Sequence, residues 1–257
     1  MSTERHGAAP QQTSGWTRFA RDVVDTLAVL PSPRQAFHRL AERRPLLAPW
    51  VIVSVPSMVL SVLLVSVAQR ASVHLLSGMD DPQLVGSVAH QLQAMKIVSV
   101  VAAPAVVWLR WCAAAGLLWA LATFVVGNAP FRSILCVVAC AGLPDVLARG
   151  TDLTVTWLEG PEITANLIPV DTSASSLAAL LPGTHGPWIT ALLDRVTPFS
   201  LWSVLLWALG LQAMLRTSAR RAVATALPAW SALAVFSAAV AVLRGSLASL
   251  APGLPSG

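Results

Sequence analysis

The chain has 257 residues, of which 55% are hydrophobic and only 11% are charged, and its 17 basic and 12 acidic residues give a formal net charge of +5. Soluble domains carry roughly 25% charged residues, so the composition excludes an ordinary water-soluble domain. The basic residues cluster at the ends of apolar runs, which is typical of membrane proteins. We therefore expect the lipid bilayer as the main partner and no nucleic acid.

The first 44 residues are expected to precede the membrane domain. Residues 1–14 are polar and rich in small side chains, which predicts a disordered N-terminus. Residues 15–44 predict two cytoplasmic amphipathic helices, because apolar residues recur every three or four positions. Ser32 and Pro33 mark the start of the second helix as N-cap and first helical residue. The apolar positions that could face a partner are Trp16, Phe19, Val23, Leu27, Phe37 and Leu40.

These two helices have two possible locations. They could lie on the membrane surface with their basic residues at the headgroups, or they could pack on the cytoplasmic end of the bundle. In the first helix, Asp22 and Asp25 fall on the polar face, opposite the apolar positions. The pattern favours neither location.

Five apolar segments are long enough to cross a bilayer, which requires about 20 residues per helix. They predict an all-α, polytopic bundle over residues 45–246, followed by a flexible C-terminus at 247–257. The third segment is the weakest, because its uncharged run extends only from Ser133 to Pro144 and it can cross only by including Asp145. The predicted spans are about 46–69, 97–127, 131–148, 196–215 and 222–243.

Arginines predict the orientation of the bundle. With the N-terminus in the cytoplasm, more basic residues lie close to the spans inside than outside, as the positive-inside rule requires. An odd number of spans then places the C-terminus outside the cytoplasm. The arginines on the inner side are Arg34, Arg39, Arg43, Arg44, Arg132, Arg216, Arg220 and Arg221.

Arg110 and Asp145 are charged residues inside the predicted spans. If residues 127–130 form the inner turn, both lie roughly 22–26 Å from it at about 1.5 Å per residue. Ionisable groups at such depth are costly unless they pair or meet water, and they often mark a functional path. We predict an ion pair between them. The alternative is that both side chains extend to the outer headgroups.

Several motifs together resemble the Yip1 family of five-span membrane proteins. Pro33, Phe37 and Pro45 occur in the family's order before the first span, and the segment Phe199-Ser200-x-Trp202 is followed by Gly210. The resemblance covers about residues 30–243. It implies a multi-pass protein without enzymatic activity, and in the eukaryotic members it implies Rab-type GTPase partners and a role in vesicle traffic. This chain has no tyrosine, so the Tyr-Gly pairs of that branch are absent, which disfavours a GTPase partner.

No pattern indicates a catalytic, cofactor or metal site. The five histidines are scattered without the spacing of a zinc site, and no phosphate loop or nucleophile motif occurs. Cys112, Cys136 and Cys140 lie in apolar runs and are interpreted as small buried residues. The outer loop at 151–195 is too long for a simple connector and could cap the bundle or meet a partner.

Two functions remain after this reading. The first is a non-enzymatic membrane protein that organises or binds other membrane or peripheral components through its cytoplasmic helices. The second is a small transporter or channel that uses Arg110 and Asp145. Sixteen arginines against a single lysine favour a GC-rich bacterial genome, and so a location in a bacterial plasma membrane.

Overall fold

The computed structural model describes residues 15–76, 82–159, 175–181 and 186–250. The predicted disordered N-terminus, the last residues of the C-terminus and two segments of the outer loop, 160–174 and 182–185, therefore lie outside the described residues. The described part consists of ten α-helices and contains no strand, which confirms the all-α class. The helices are α1 (Gly15–Leu27), α2 (Pro33–Arg43), α3 (Leu47–Leu76), α4 (Pro82–Val125), α5 (Phe131–Cys140), α6 (Leu143–Glu159), α7 (Leu177–Leu180), α8 (Pro187–Leu193), α9 (Pro198–Leu215) and α10 (Ala219–Leu250).

Four stretches of the described residues are long and apolar enough to cross a membrane. A further apolar helix, Leu47–Leu63, is shorter. These helices support a multi-pass membrane protein, whereas the count of five spans and their bounds stay predictions. The four stretches are Pro104–Val125, Phe131–Val155, Pro198–Leu215 and Ala219–Leu247.

The stretch Phe131–Val155 is interrupted by a turn at Ala141 and Gly142, between α5 and α6. Pro144, the second residue of α6, has no N–H to donate to a carbonyl one turn earlier. Before the proline, the Gly142 N–H donates to the Ala139 carbonyl at 3.2 Å. This bond spans three residues, so the turn is tighter than that of an α-helix. A short break therefore separates α5 from α6, and it begins before the proline.

The core of the bundle surrounds α5, in which residues 133–140 are all buried. Helix α5 contacts α3, α4 and α9, while α10 packs against α4 and α9. At Gly210 in α9 the packing is closest: a Cβ atom there would lie 2.6 Å from Val137 Cγ1 and 3.1 Å from Phe37 Cε1. Only a glycine lets α9 approach both α5 and α2 this closely.

The membrane hairpin of α9 and α10 has defined ends. The Thr197 hydroxyl accepts from the Ser200 N–H and the Ser200 hydroxyl accepts from the Thr197 N–H, each at 3.0 Å, in a reciprocal cap. Pro198 follows as the first helical residue, where its missing N–H costs nothing. Helix α9 ends at Leu215, and the next residue, Arg216, adopts a left-handed conformation with φ of 49°.

Replacing Gly210 with alanine is expected to destabilise the bundle, because the new methyl group would overlap Val137. Overpacking of this kind costs about 1–3 kcal/mol. The matched control is Gly116→Ala in α4, where a Cβ meets nothing within 4 Å. Thermal unfolding of the detergent-solubilised protein measures both. Equal midpoints for the two variants would contradict the close contact.

Candidate functional site

The N-terminal residues form a helical hairpin, α1 and α2, that is held together by ion pairs. Arg39 Nε donates to Asp25 Oδ1 at 2.7 Å, and Arg43 donates to the other oxygen of the same carboxylate. Arg43 Nη1 also lies 2.9 Å from Asp22 Oδ1, in an ion pair that is not an aligned hydrogen bond. Asp25 is buried, with 5% of its surface exposed. A buried carboxylate is stable only when it is paired in this way.

Helix α2 packs into the bundle. Phe37 and Leu40 are fully buried, and α2 lies against α9 near Gly210. The prediction that these two side chains face a partner is therefore wrong in this conformation, since the core of the chain itself occupies their apolar surface. Ser32 stands at the predicted N-cap position of α2, but its hydroxyl donates back to the Ala28 carbonyl at 3.2 Å instead of capping.

Helix α1 has the opposite arrangement, with its acidic face inward and much of its apolar face outward. Trp16 is 81% exposed, Val24 is 64% exposed and Leu27 is also exposed. Phe19 and Val23 are half-buried at the edge of the helix contact. Four of the six predicted partner-facing residues are thus at least partly accessible: Trp16, Phe19, Val23 and Leu27.

The hairpin lies at one end of the bundle, which we call the hairpin end. The Cys136 thiol lies 3.2 Å from the carbonyl of Pro45, which links the start of α3 to α5 at this end. In the turn that leads from α4 into α5, Gly127 adopts a φ of 98°, and Trp119 Nε1 donates to the Ala129 carbonyl at 3.0 Å. The turn at 216–218 follows α9, which meets Phe37 of α2 at Gly210, in its C-terminal half.

Arg110 and Asp145 meet on the other side of the break in Phe131–Val155. Arg110 Nη2 lies 2.9 Å from Asp145 Oδ2, and the two side chains are 62% and 35% exposed. Asp145 stands in the first turn of α6, where the positive end of the helix dipole favours a carboxylate. The structure brings the two predicted residues together on the surface of the bundle, and a functional role for them stays a prediction.

Among the described residues, no group of three or more His, Cys, Asp or Glu side chains could hold a metal ion. Cys136 and Cys140 are buried, and Cys112 is half-buried. The sequence pattern did not identify Asp25 as a structural residue, because helical periodicity places it on the polar face of α1. A signal was present: Asp22 and Asp25 are three apart, Arg39 and Arg43 are four apart, and both spacings place side chains on one helix face.

A double-mutant cycle tests the Arg110–Asp145 pair. Arg110→Gln and Asp145→Asn are each expected to lower the thermal midpoint in detergent, and the double variant should lose less than the sum, by a coupling on the order of 1 kcal/mol. The control cycle pairs Asp145→Asn with Arg132→Gln, an exposed arginine of α5, and should be additive. Additivity in both cycles would show that the pair contributes nothing.

The Yip1 domain family matches residues 27–241, which is most of the chain. Searches of curated proteins and of solved structures returned no match. The family match extends from the end of α1 to the last membrane helix, and with the long apolar helices it describes a multi-pass membrane protein. The chain belongs to the Yip1 family.

Proposed function

We propose that this protein is a non-enzymatic, five-span membrane protein that organises or binds other membrane or peripheral components through the α1–α2 hairpin. The observation that carries the proposal is the hairpin itself. Phe37 fixes α2 to the bundle and the Asp25 ion pairs fix α1 to α2, while Trp16, Val24 and Leu27 of α1 stay exposed. A rigidly mounted, exposed apolar surface marks an interaction site.

The hairpin end is proposed to face the cytoplasm of a bacterial cell. We assign the arginines of α2, of the start of α5 and of the α9–α10 turn to this end, because the positive-inside rule places such residues inside. With Leu47–Leu76 as the first of five spans, the C-terminus then lies outside the cytoplasm. The arginines concerned are Arg34, Arg39, Arg43, Arg44, Arg132, Arg216, Arg220 and Arg221.

A crosslinking pull-down of the tagged protein from its own cells tests the binding role. Asp25→Asn should reduce the recovery of crosslinked components several-fold, because it removes the charge that holds α1 on α2. Glu42→Gln is the matched control, since Glu42 is an exposed acidic residue of α2. Size-exclusion elution of both variants checks that the bundle stays folded. Equal recovery with the two variants would overturn the proposal.

A second candidate function is a small transporter or channel that uses Arg110 and Asp145. The observation in its favour is the 2.9 Å ion pair beside a broken helix, since broken helices beside charged groups hold ions in some transporters. Both side chains are partly exposed on the surface of the bundle. They therefore do not line an enclosed pathway for an ion.

Flux measurements in proteoliposomes test the transport function. If the ion pair carries transport, ion flux should be present with the wild-type protein and lost with Asp145→Asn. Arg132→Gln should keep the flux, because Arg132 lies at the hairpin end and has no role in that pathway. Flux that is absent, or that is equal in all three proteins, would exclude this mechanism.

A further inference from the structure

The α1 stripe is the set of exposed, mostly apolar positions on the outer side of the first helix: Trp16, Ala20, Val24 and Leu27. These positions lie on one face, because they are spaced by three or four residues. In water, an amphipathic helix turns its polar face outward and its apolar face to the core. Here Asp25 and Thr26 are buried while the stripe is exposed. The medium that meets the stripe is therefore expected to be apolar.

We infer that the α1 stripe inserts into the lipid of the membrane leaflet at the hairpin end, so that α1 is an interfacial helix fixed to the bundle by its acidic face. This inference rests on the proposed function and names the partner of the hairpin's exposed surface as phospholipid. An interfacial helix buries its apolar side about 5–10 Å into the boundary between headgroups and acyl chains.

The position of α1 supports lipid as the occupant. Helix α1 contacts α3, and α3 begins at Leu47 directly after the α2 helix and its connection. Leu47, Val55 and Val59 on α3 are exposed apolar side chains, which in a membrane helix face the acyl chains. Helix α1 is thus in contact with a helix that itself carries exposed apolar side chains, and this contact favours lipid as the medium outside the stripe.

The charge around the stripe supports the same occupant. Arg21, on the exposed flank of α1, and Arg34, at the start of α2, are both exposed. Arginines beside an apolar stripe suit the anionic phosphates of the headgroup layer. The acidic residues of α1 are not in this position, because Asp22 and Asp25 are turned toward Arg39 and Arg43. The ion pairs of the hairpin therefore remove the negative charges that anionic lipid would repel.

Helix α1 also carries an aromatic pair suited to an interface. The rings of Trp16 and Phe19 are 6.3 Å apart at their centroids and nearly perpendicular. Tryptophan is favoured at the boundary between headgroups and hydrocarbon because its ring is amphipathic. The pair stands at the N-terminal end of the stripe, where it would anchor α1 in the interface.

Nitroxide accessibility tests this inference directly. Full-length protein carrying Val24→Cys is spin-labelled and reconstituted in vesicles of phosphatidylcholine and phosphatidylglycerol, in a Cys112→Ala background, since Cys136 and Cys140 are fully buried. Arg21→Cys, one turn earlier on the polar flank, is the matched control. The label at position 24 should be relaxed by oxygen, which partitions into lipid, and several-fold less by a water-soluble nickel chelate than the label at 21. Ala20→Cys repeats the measurement within the stripe.

Two outcomes overturn the inference. Strong relaxation by the nickel chelate at position 24, equal to strong relaxation at 21, would show that the stripe faces water. Low relaxation by both oxygen and nickel at 24, with high values at 21, would show that protein covers the stripe. Either result leaves the pull-down with Asp25→Asn to decide the proposed function independently. Conversely, a label in lipid together with unchanged pull-down partners would refute the binding role but keep the lipid contact.

Discussion

The contact of Gly210 with Val137 and Phe37 is the interaction on which the arrangement of the whole protein depends. It joins three helices that are far apart in the sequence, and it converts α2 from a peripheral segment into part of the core. In lipid the hydrophobic effect does not drive helices together, so close approach at small residues and van der Waals packing must do so. Once α2 is fixed, the ion pairs of Arg39 and Arg43 with Asp25 fix α1 in turn. The orientation of the hairpin follows from a missing side chain in α9.

Because few residues of this chain are charged, each ion pair of the described residues has a distinct structural effect. The pairs of the hairpin are partly buried and determine which face of α1 is turned outward. The Arg110–Asp145 pair is more exposed and joins α4 to α6 after the break at Ala141 and Gly142. A pair of opposite charges lowers the cost of placing either residue at membrane depth. The ion pair thereby gives α4 and α6 a direct polar contact.

Much of the fold could be predicted from the sequence, because a bilayer imposes length and polarity limits that are visible in single segments. The helical class, the long apolar helices and the positions of Ser32 and Pro33 at the start of α2 all followed from local rules. The place of Phe37 and Leu40 did not, because periodicity identifies an apolar face without saying what covers it. For the same reason Asp25 was assigned to solvent, although its partners on α2 were spaced to receive it. The break at Ala141 and Gly142 could not be predicted, because the tight packing of Gly142 against Trp111 arises only in the folded bundle.

The docking of Phe37 beside Gly210 also has a consequence for biosynthesis. The α1–α2 hairpin leaves the ribosome long before α9, so the surface of α9 that receives Phe37 exists only after the intervening helices have been translated and inserted. Closing so long a loop is slow compared with forming either helix. Until α9 is inserted, Phe37 and Leu40 of the nascent hairpin therefore stay uncovered. During that time the hairpin is exposed to chaperones, proteases and premature association.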